Sequence, residues 1–222
     1  AVVGAIAFAG KGIIIKLAYR HGVDAVTLIG LRMLMAAPFF AVMAAWASRG
    51  REPLTGRDWL SVGALGFTGY YLSSFLDFLG LQYVSAALER LILYLNPTLV
   101  LLLGWLFYGR RVSARQVGAL ALAYLGIVVV FGRETWLGGP DVALGSALVV
   151  ASALSYAFYL IYSGEVVQRL GAQRLTGLAS LVACILCVAQ FLVLRPVASL
   201  AAVPEPVWWL SLLNATLCTV AP

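Results

Sequence analysis

Six ionisable side chains fall inside otherwise apolar stretches of this 222-residue chain: Lys11, Lys16, Arg32, Asp77, Glu89 and Arg90. A charge held in hydrocarbon costs roughly 3 kcal/mol or more, so such groups pair with one another, reach for the surface, or serve a substrate or a proton. With a rise of about 1.5 Å per helical residue and an outer boundary near Arg20 and Gln82, Lys11 falls near the midplane. Glu89 and Arg32 then lie some two turns in, and Asp77 and Lys16 lie close to the outer surface, where Lys16 snorkels. On this reading Asp77 and Arg90 form a structural ion pair. Arg32 clamps Glu89 or a backbone carbonyl, or holds a carboxylate. Lys11 and Glu89 stand equally as a buried pair or as substrate or proton sites.

Helical spacing says which polar groups can share a lumen. Tyr70, Ser74 and Asp77 form one stripe, Ser85, Glu89 and Asn96 a second, and Ser152, Ser155, Tyr156 and Tyr159 a third. The third stripe also suits helix–helix hydrogen bonding, which polar side chains supply inside a bilayer. Pro97 has no N–H and therefore frees a carbonyl at membrane depth. The candidate substrate-binding or proton-coupling set is thus Lys11, Arg32, Glu89, Asn96, Tyr70, Ser74, Tyr156 and Tyr159. Four cations face two anions among the six intramembrane charges, an excess that favours a carboxylate-bearing ligand, with Glu89 receiving an amine or a coupling proton.

The elements that must position these groups are long apolar helices. Spans are predicted at 1–18, 25–47, 59–79, 85–108, 114–131, 142–162 and 175–194, with an interrupted eighth from 207 onward, each about long enough to cross a bilayer. Composition agrees: 63% of residues are hydrophobic, 11% are charged, and the mean hydropathy is +0.98. A soluble domain of this length could not hide so much apolar surface. The formal net charge of +6 does not point to nucleic acid, because Lys and Arg sit in short connectors rather than in one basic stripe. Cys184, Cys187 and Cys218 fall in apolar stretches, where a thiol packs as a small hydrophobe. No metal-ligand cluster or cofactor motif stands out. Neither does a zinc-protease or nucleophile-elbow motif, and the chain does not read as an enzyme.

Arg49, Arg51 and Arg57, then Arg110, Arg111 and Arg115, then Arg169 and Arg174 crowd the even-numbered connectors, whereas the alternate ones hold Arg20, Arg133 and Arg195. The positive-inside rule then puts the even connectors and the amino terminus in the cytoplasm. Two short words recur in order: 21–27 resembles 170–176, and Trp59-Leu60-Ser61 returns as Trp209-Leu210-Ser211. A repeat of five helices, an odd number, inserts its second copy upside down, an architecture of secondary transporters whose substrate site lies near the midplane.

Arg32, the Asn96-Pro97 step, the run from Arg110 to Gly118 and Gly126-Ile127-Val128 together resemble the EamA-type branch of the drug/metabolite transporter superfamily. The stretches 70–83 and 88–94 are similar to its uncharacterised bacterial permeases. The resemblance implies an all-α membrane protein: a polytopic bundle of two inverted five-helix repeats, the first at 1–132 and the second, incomplete here, at 141–222. It also implies a fragment that lacks an initiator Met and stops within helix eight, short of roughly two and a half helices. Gly109 stands where the family often carries a Glu, so no weight attaches to that Glu here. Lys11, at the depth where small multidrug-resistance relatives use a Glu, argues against lipophilic cations as cargo.

The expected function is a multi-pass transporter of the bacterial inner membrane that moves a small metabolite by alternating access. Amino acids or related carboxylates, exported, are the cargo the resemblance implies. Membrane lipid, the small molecule and a coupling proton are the expected partners; oligomeric state is not legible. The alternative is a seven-helix receptor or a non-transporting scaffold.

Overall fold

A computed structural model describes residues 2–109, 113–138 and 140–220. Ten α-helices account for most of them: α1 (Val2–Tyr19), α2 (Ala25–Ser48), α3 (Gly56–Leu65), α4 (Ser73–Tyr83), α5 (Ala86–Leu93), α6 (Asn96–Tyr108), α7 (Ala114–Gly138), α8 (Pro140–Leu170), α9 (Ala172–Leu194) and α10 (Glu205–Ala215). A π-helical segment, Gly66–Leu72, joins α3 to α4 as one continuous span, and a second, Thr216–Val220, continues α10. A 3-10 turn, Val197–Ala202, precedes α10.

Local chemistry sets the helix starts. Asp24 caps α2 by accepting from the amides of Val26 and Thr27. Thr55 and Asp58 form a reciprocal capping box at α3, and Ser85 accepts from Leu88 N–H at α5. Gly171, at φ +84°, is the single residue that separates α8 from α9, a left-handed conformation that a Cβ would strain.

Two expectations are revised. The span predicted at 85–108 is broken at Tyr94 and Leu95, so Pro97 lies in the first turn of α6, where its missing N–H leaves no helix bond unmade. The span predicted at 142–162 continues to Leu170: Gly164 keeps helical φ and weakens the helix without ending it, and the glycine that ends it, Gly171, comes after Leu170. The basic residues Arg110 and Arg111 lie outside the described residues.

Packing follows the small residues. Gly30 meets Phe191 and Gly177 meets Ala44, so α2 and α9 run antiparallel in close contact. Gly80 meets Val149 and Gly145, while Gly69 meets Tyr159 lower down, so α8 runs antiparallel to the α3–π–α4 span. Close approach of this kind is what drives helix association where surrounding lipid is as apolar as the side chains. Ile29, Leu31, Phe78, Leu81, Cys187 and Val207 form the main buried cluster, and Val84, Leu88, Ile92 and Val149 tie α5 to α8.

The molecule is apolar outside and polar inside. Val42, Leu60, Leu106 and Val193 are exposed, whereas Lys11, Arg32, Asp77 and Glu89 are buried. Water would reverse that distribution; a bilayer requires it. Among the described residues, the stretches Ala25–Ser48, Ala86–Tyr108, Asp141–Leu170 and Ala172–Leu194 are each long and apolar enough to cross a membrane.

Candidate functional site: a charged cavity between the helices

The charges expected to be scattered in depth converge. Lys11 Nζ, on α1, donates to Asp77 Oδ2, on α4, at 2.6 Å and lies 3.9 Å from Glu89 Oε1, on α5. Arg90 Nε is 3.2 Å from Glu89 Oε2. Where the sequence suggested an Asp77–Arg90 bridge, Asp77 receives Lys11 and Arg90 meets the neighbouring acid. Counting residues from a helix end placed Asp77 well away from Lys11. That count compared backbone depths, which differ by four residues or about 6 Å, a gap that the long lysine side chain spans.

Arg32, on α2, is buried as well. Its Nη2 donates to Ser74 Oγ at 3.3 Å, its guanidinium carbon sits 4.8 Å from the centre of the Phe78 ring, and its Nε has no hydrogen-bond partner. The clamp expected on Glu89 is thus made to Ser74 and an aromatic face. Ser74 and Phe78 are one helical turn apart on α4, which explains how one side chain reaches both.

These residues border a cavity of about 710 Å³ whose wall includes Lys11, Arg32, Asp77, Tyr70, Asn96 and Tyr156. Asn96 Oδ1 lacks a hydrogen-bond partner. Glu89 is not part of the wall: it is fully buried behind the Lys11–Asp77 pair. Nor is Tyr159, whose hydroxyl lies 3.0 Å from that of Tyr70 and whose ring stacks on Tyr156. It supports two wall residues from behind. Ser85 is spent on the α5 cap, so the second stripe dissolves.

The serines of the third stripe bond to backbone across the helix interface. Ser152 Oγ donates to the Ser73 carbonyl at 2.6 Å and Ser155 Oγ to the Thr68 carbonyl at 2.7 Å. Thr176 and Ser180 on α9 and Thr219 on the second π segment also line the wall and were not singled out from sequence, and Cys218, read there as a packing thiol, lines it beside Thr219. The i, i+4 spacing of Thr176 and Ser180 is the signal that could have found the first pair.

Beyond the spans, polar contacts tie connectors together at each end. At one end Arg51 Nη1 donates to the Leu170 carbonyl at 2.6 Å. Beside it, Arg174 donates to Ser48 Oγ at 3.2 Å and to the Glu52 carbonyl at 3.0 Å, and Arg169 pairs with Asp58. Hydrogen bonds from the Thr55 hydroxyl and amide, aided by Arg169 and Arg174, hold the Asp58 carboxyl below its ordinary value against the opposing effect of burial. At the other end Arg195 lies 3.3 Å from Asp24. Burial pushes the Asp24 carboxyl up, but the Thr27 hydroxyl and Arg195 outweigh it and leave the net shift downward.

A bundle with an apolar exterior, a buried charged cavity and helices long and apolar enough to cross a bilayer defines a polytopic all-α membrane protein rather than a soluble globular one. Residues 1–132 match the EamA-like transporter family, and the chain belongs to that family. It is 31% identical over 187 residues to the uncharacterised transporter YcbK of Bacillus subtilis, a match covering 79% of this chain and 57% of that protein. Proteins named "probable amino-acid metabolite efflux pump" are 28% identical in Salmonella typhimurium, over 71% of this chain and 50% of theirs, and 29% identical in Escherichia coli, over 67% and 47%. The chain spans about half the length of these curated relatives. No solved structure matches it.

Proposed function

We propose that this chain forms the substrate-lining part of a secondary transporter that exports a small carboxylate-bearing metabolite, an amino acid or a related compound, across the bacterial inner membrane. The observation that carries the reading is Arg32: a buried guanidinium on the wall of a polar cavity, with a donor unspent. A planar fork with a free N–H suits a carboxylate. Lys11 is committed to Asp77, so of the two cations that could anchor a carboxylate, Lys11 or Arg32, the role falls to Arg32. Ser74 orients that guanidinium; Tyr70, Tyr156 and Asn96 offer hydroxyl and amide groups to the rest of the substrate, and Tyr159 steadies the two tyrosines. Glu89 acts through its neighbours, not by touching cargo. The names of the efflux pumps support an amino-acid-like substrate.

Alternating access between two inverted repeats, 1–132 and 141–222, supplies the movement, with the amino terminus in the cytoplasm. Several features support the repeat. The two π segments begin at Gly66 and Thr216, the same offset that separates Trp59 from Trp209, and both contribute to the cavity wall. The packing of α8 on the α3–π–α4 span is echoed by α1 on α10 and its π segment.

Counterflow into proteoliposomes tests the reading, using the protein expressed from its complete reading frame and a mixed metabolite pool read by mass spectrometry. Protein-dependent uptake of amino acids or organic anions is expected. Absence of any uptake by folded protein would overturn it in favour of a receptor or scaffold.

A further inference from the structure

A second cavity, of about 510 Å³, lies at the connector end that Arg51 and Arg174 tie together. Three guanidinium groups line it: Arg51 from the α2–α3 connector, Arg169 from the last turn of α8 and Arg174 from the first turn of α9. The acids of this end do not neutralise them all. Asp58 is engaged by Arg169 and by the Thr55 hydroxyl and amide, and it acts on Arg174 without contacting it. Glu52 borders the cavity but is exposed to solvent. Among the described residues, neither Arg51 nor Arg174 forms an ion pair. Arg51 Nη1 donates to the Leu170 carbonyl, and Arg174 Nε and Nη2 donate to a hydroxyl and to a carbonyl, which leaves its Nη1 as a further donor.

Arg174 is the more telling of the two. It is only 7% exposed, and the turn that carries it has no side-chain cap, so the helix dipole opposes its charge instead of stabilising it. A buried cation with no anion in contact is costly, and here a cavity stands open beside it. Gly171 brings the second cation to the same place. A Cβ there would lie 2.7 Å from Arg51 Nη1, so the glycine is what lets that guanidinium rest on the α8–α9 junction. Depth identifies the missing anion. Trp46 and Trp59, 61% and 53% exposed, stand two residues before Ser48 and next to Asp58, and exposed tryptophans at helix ends mark the headgroup level. The abundant anion at that level is a lipid phosphate, and paired guanidinium forks suit its oxygens.

We propose that this cavity is a phosphate site occupied by the headgroup of an anionic phospholipid, whose phosphate joins Arg51 of the α2–α3 connector to Arg174 of α9. Leu54 and Leu170 supply the apolar part of the wall, against the glycerol. The crowding of arginines at this end puts the lipid in the cytoplasmic leaflet. It braces the two connectors through charge, alongside the direct hydrogen bonds between them, whatever the central cavity carries.

The test is thermal unfolding of the complete protein in dodecylmaltoside, titrated separately with phosphatidylglycerol, with phosphatidylcholine and with sodium phosphate. In wild type the midpoint should rise and saturate with phosphatidylglycerol but not with phosphatidylcholine, whose choline cancels the phosphate charge. In Arg51→Gln, and again in Arg174→Gln, the lipid concentration giving half the rise should increase about tenfold or more, the loss of one charge-assisted hydrogen bond. Arg57→Gln is the control: it removes an exposed cation of the same connector that lies outside the cavity, and the titration should not move. An equal weakening in Arg57→Gln would mean that diffuse charge holds the lipid, and it overturns the site. A wild-type midpoint that phosphatidylglycerol leaves unchanged overturns it too. A rise with sodium phosphate that matches the lipid's overturns the lipid as occupant and assigns the cavity to soluble phosphate. If Arg174→Gln does not fold, Arg51→Gln decides, since that side chain is exposed and gives up a single hydrogen bond.

Discussion

Arg32 separates a charge requirement from a geometric one. Arg32→Lys keeps the positive charge but gives up the planar fork and its stacking on Phe78. A hydrogen bond to a charged group is worth about 1.5–3 kcal/mol, so half-saturation for a carboxylate substrate should rise roughly tenfold to a hundredfold, with little change in maximal rate. Dose–response curves of uptake read this directly, and an unchanged half-saturation would place the carboxylate elsewhere. That Lys11, Arg32 and Glu89 lie inside the bundle was legible in the sequence, because the cost of charge in hydrocarbon leaves them few alternatives. The partners were not. Pairing depends on tilt, on the rotation of each helix about its axis and on where a helix breaks, and none of these is encoded in residue spacing along one helix.

Most helices were visible as apolar length; the caps at Asp24 and Thr55–Asp58 that fix their starts emerge only in the structure. Hidden from that reading were the break at Tyr94 and the two π segments, which leave hydropathy unchanged. Glycines mark where helices touch, but sequence alone does not say which of them do so. The structure makes the distinction. A Cβ at Gly80 would lie 2.6 Å from Val149 Cγ2 and 2.9 Å from the Gly145 carbonyl, whereas one at Gly63 would meet nothing within 4 Å. Gly80→Ala must therefore push α4 away from α8, at a cost of about 1–3 kcal/mol by analogy with overpacked cores. Gly63→Ala should be neutral or mildly stabilising, since alanine favours helix by close to 1 kcal/mol. Thermal unfolding in detergent followed by intrinsic fluorescence should show a lower midpoint for the first variant alone. Equal midpoints would mean that α4 and α8 are not packed as described.

At the scale of the whole molecule, the proposed cycle needs ends that close in turn, and the two sets of connector contacts have the placement for it. They are unequal. The Arg51 and Arg174 end makes several hydrogen bonds, and Arg174 is buried; the Arg195–Asp24 pair is largely exposed, and such pairs contribute at most about 1 kcal/mol. Acid should release both ends. Asp24 and Asp58 have carboxyls held below their ordinary values, so their stabilisation is complete above the unfolded value of about 4 and is lost as pH falls through the folded values. The unfolding midpoint should stay level from pH 7 to about pH 5 and drop below about pH 4, less steeply in Asp24→Asn than in wild type; a profile that Asp24→Asn leaves unaltered would show that its ion pair contributes nothing.

The inequality of the ends carries a further consequence for access. Cys218 borders the cavity, whereas Cys184 and Cys187 are packed in the core. A membrane-impermeant maleimide on Cys218 therefore reports cavity access. Arg174→Ala removes two hydrogen bonds that tie the α2–α3 connector to α9, so labelling of Cys218 from that face should rise several-fold in oriented vesicles. Arg195→Ala, which breaks only an exposed pair, should change labelling from the opposite face far less. Cys218→Ser supplies the background to subtract in both variants. If Arg174→Ala left labelling unchanged from its own face, the Arg51–Arg174 contacts would be a brace on the connector and not a closure of the cavity, and the cycle would need its gate among the helices themselves.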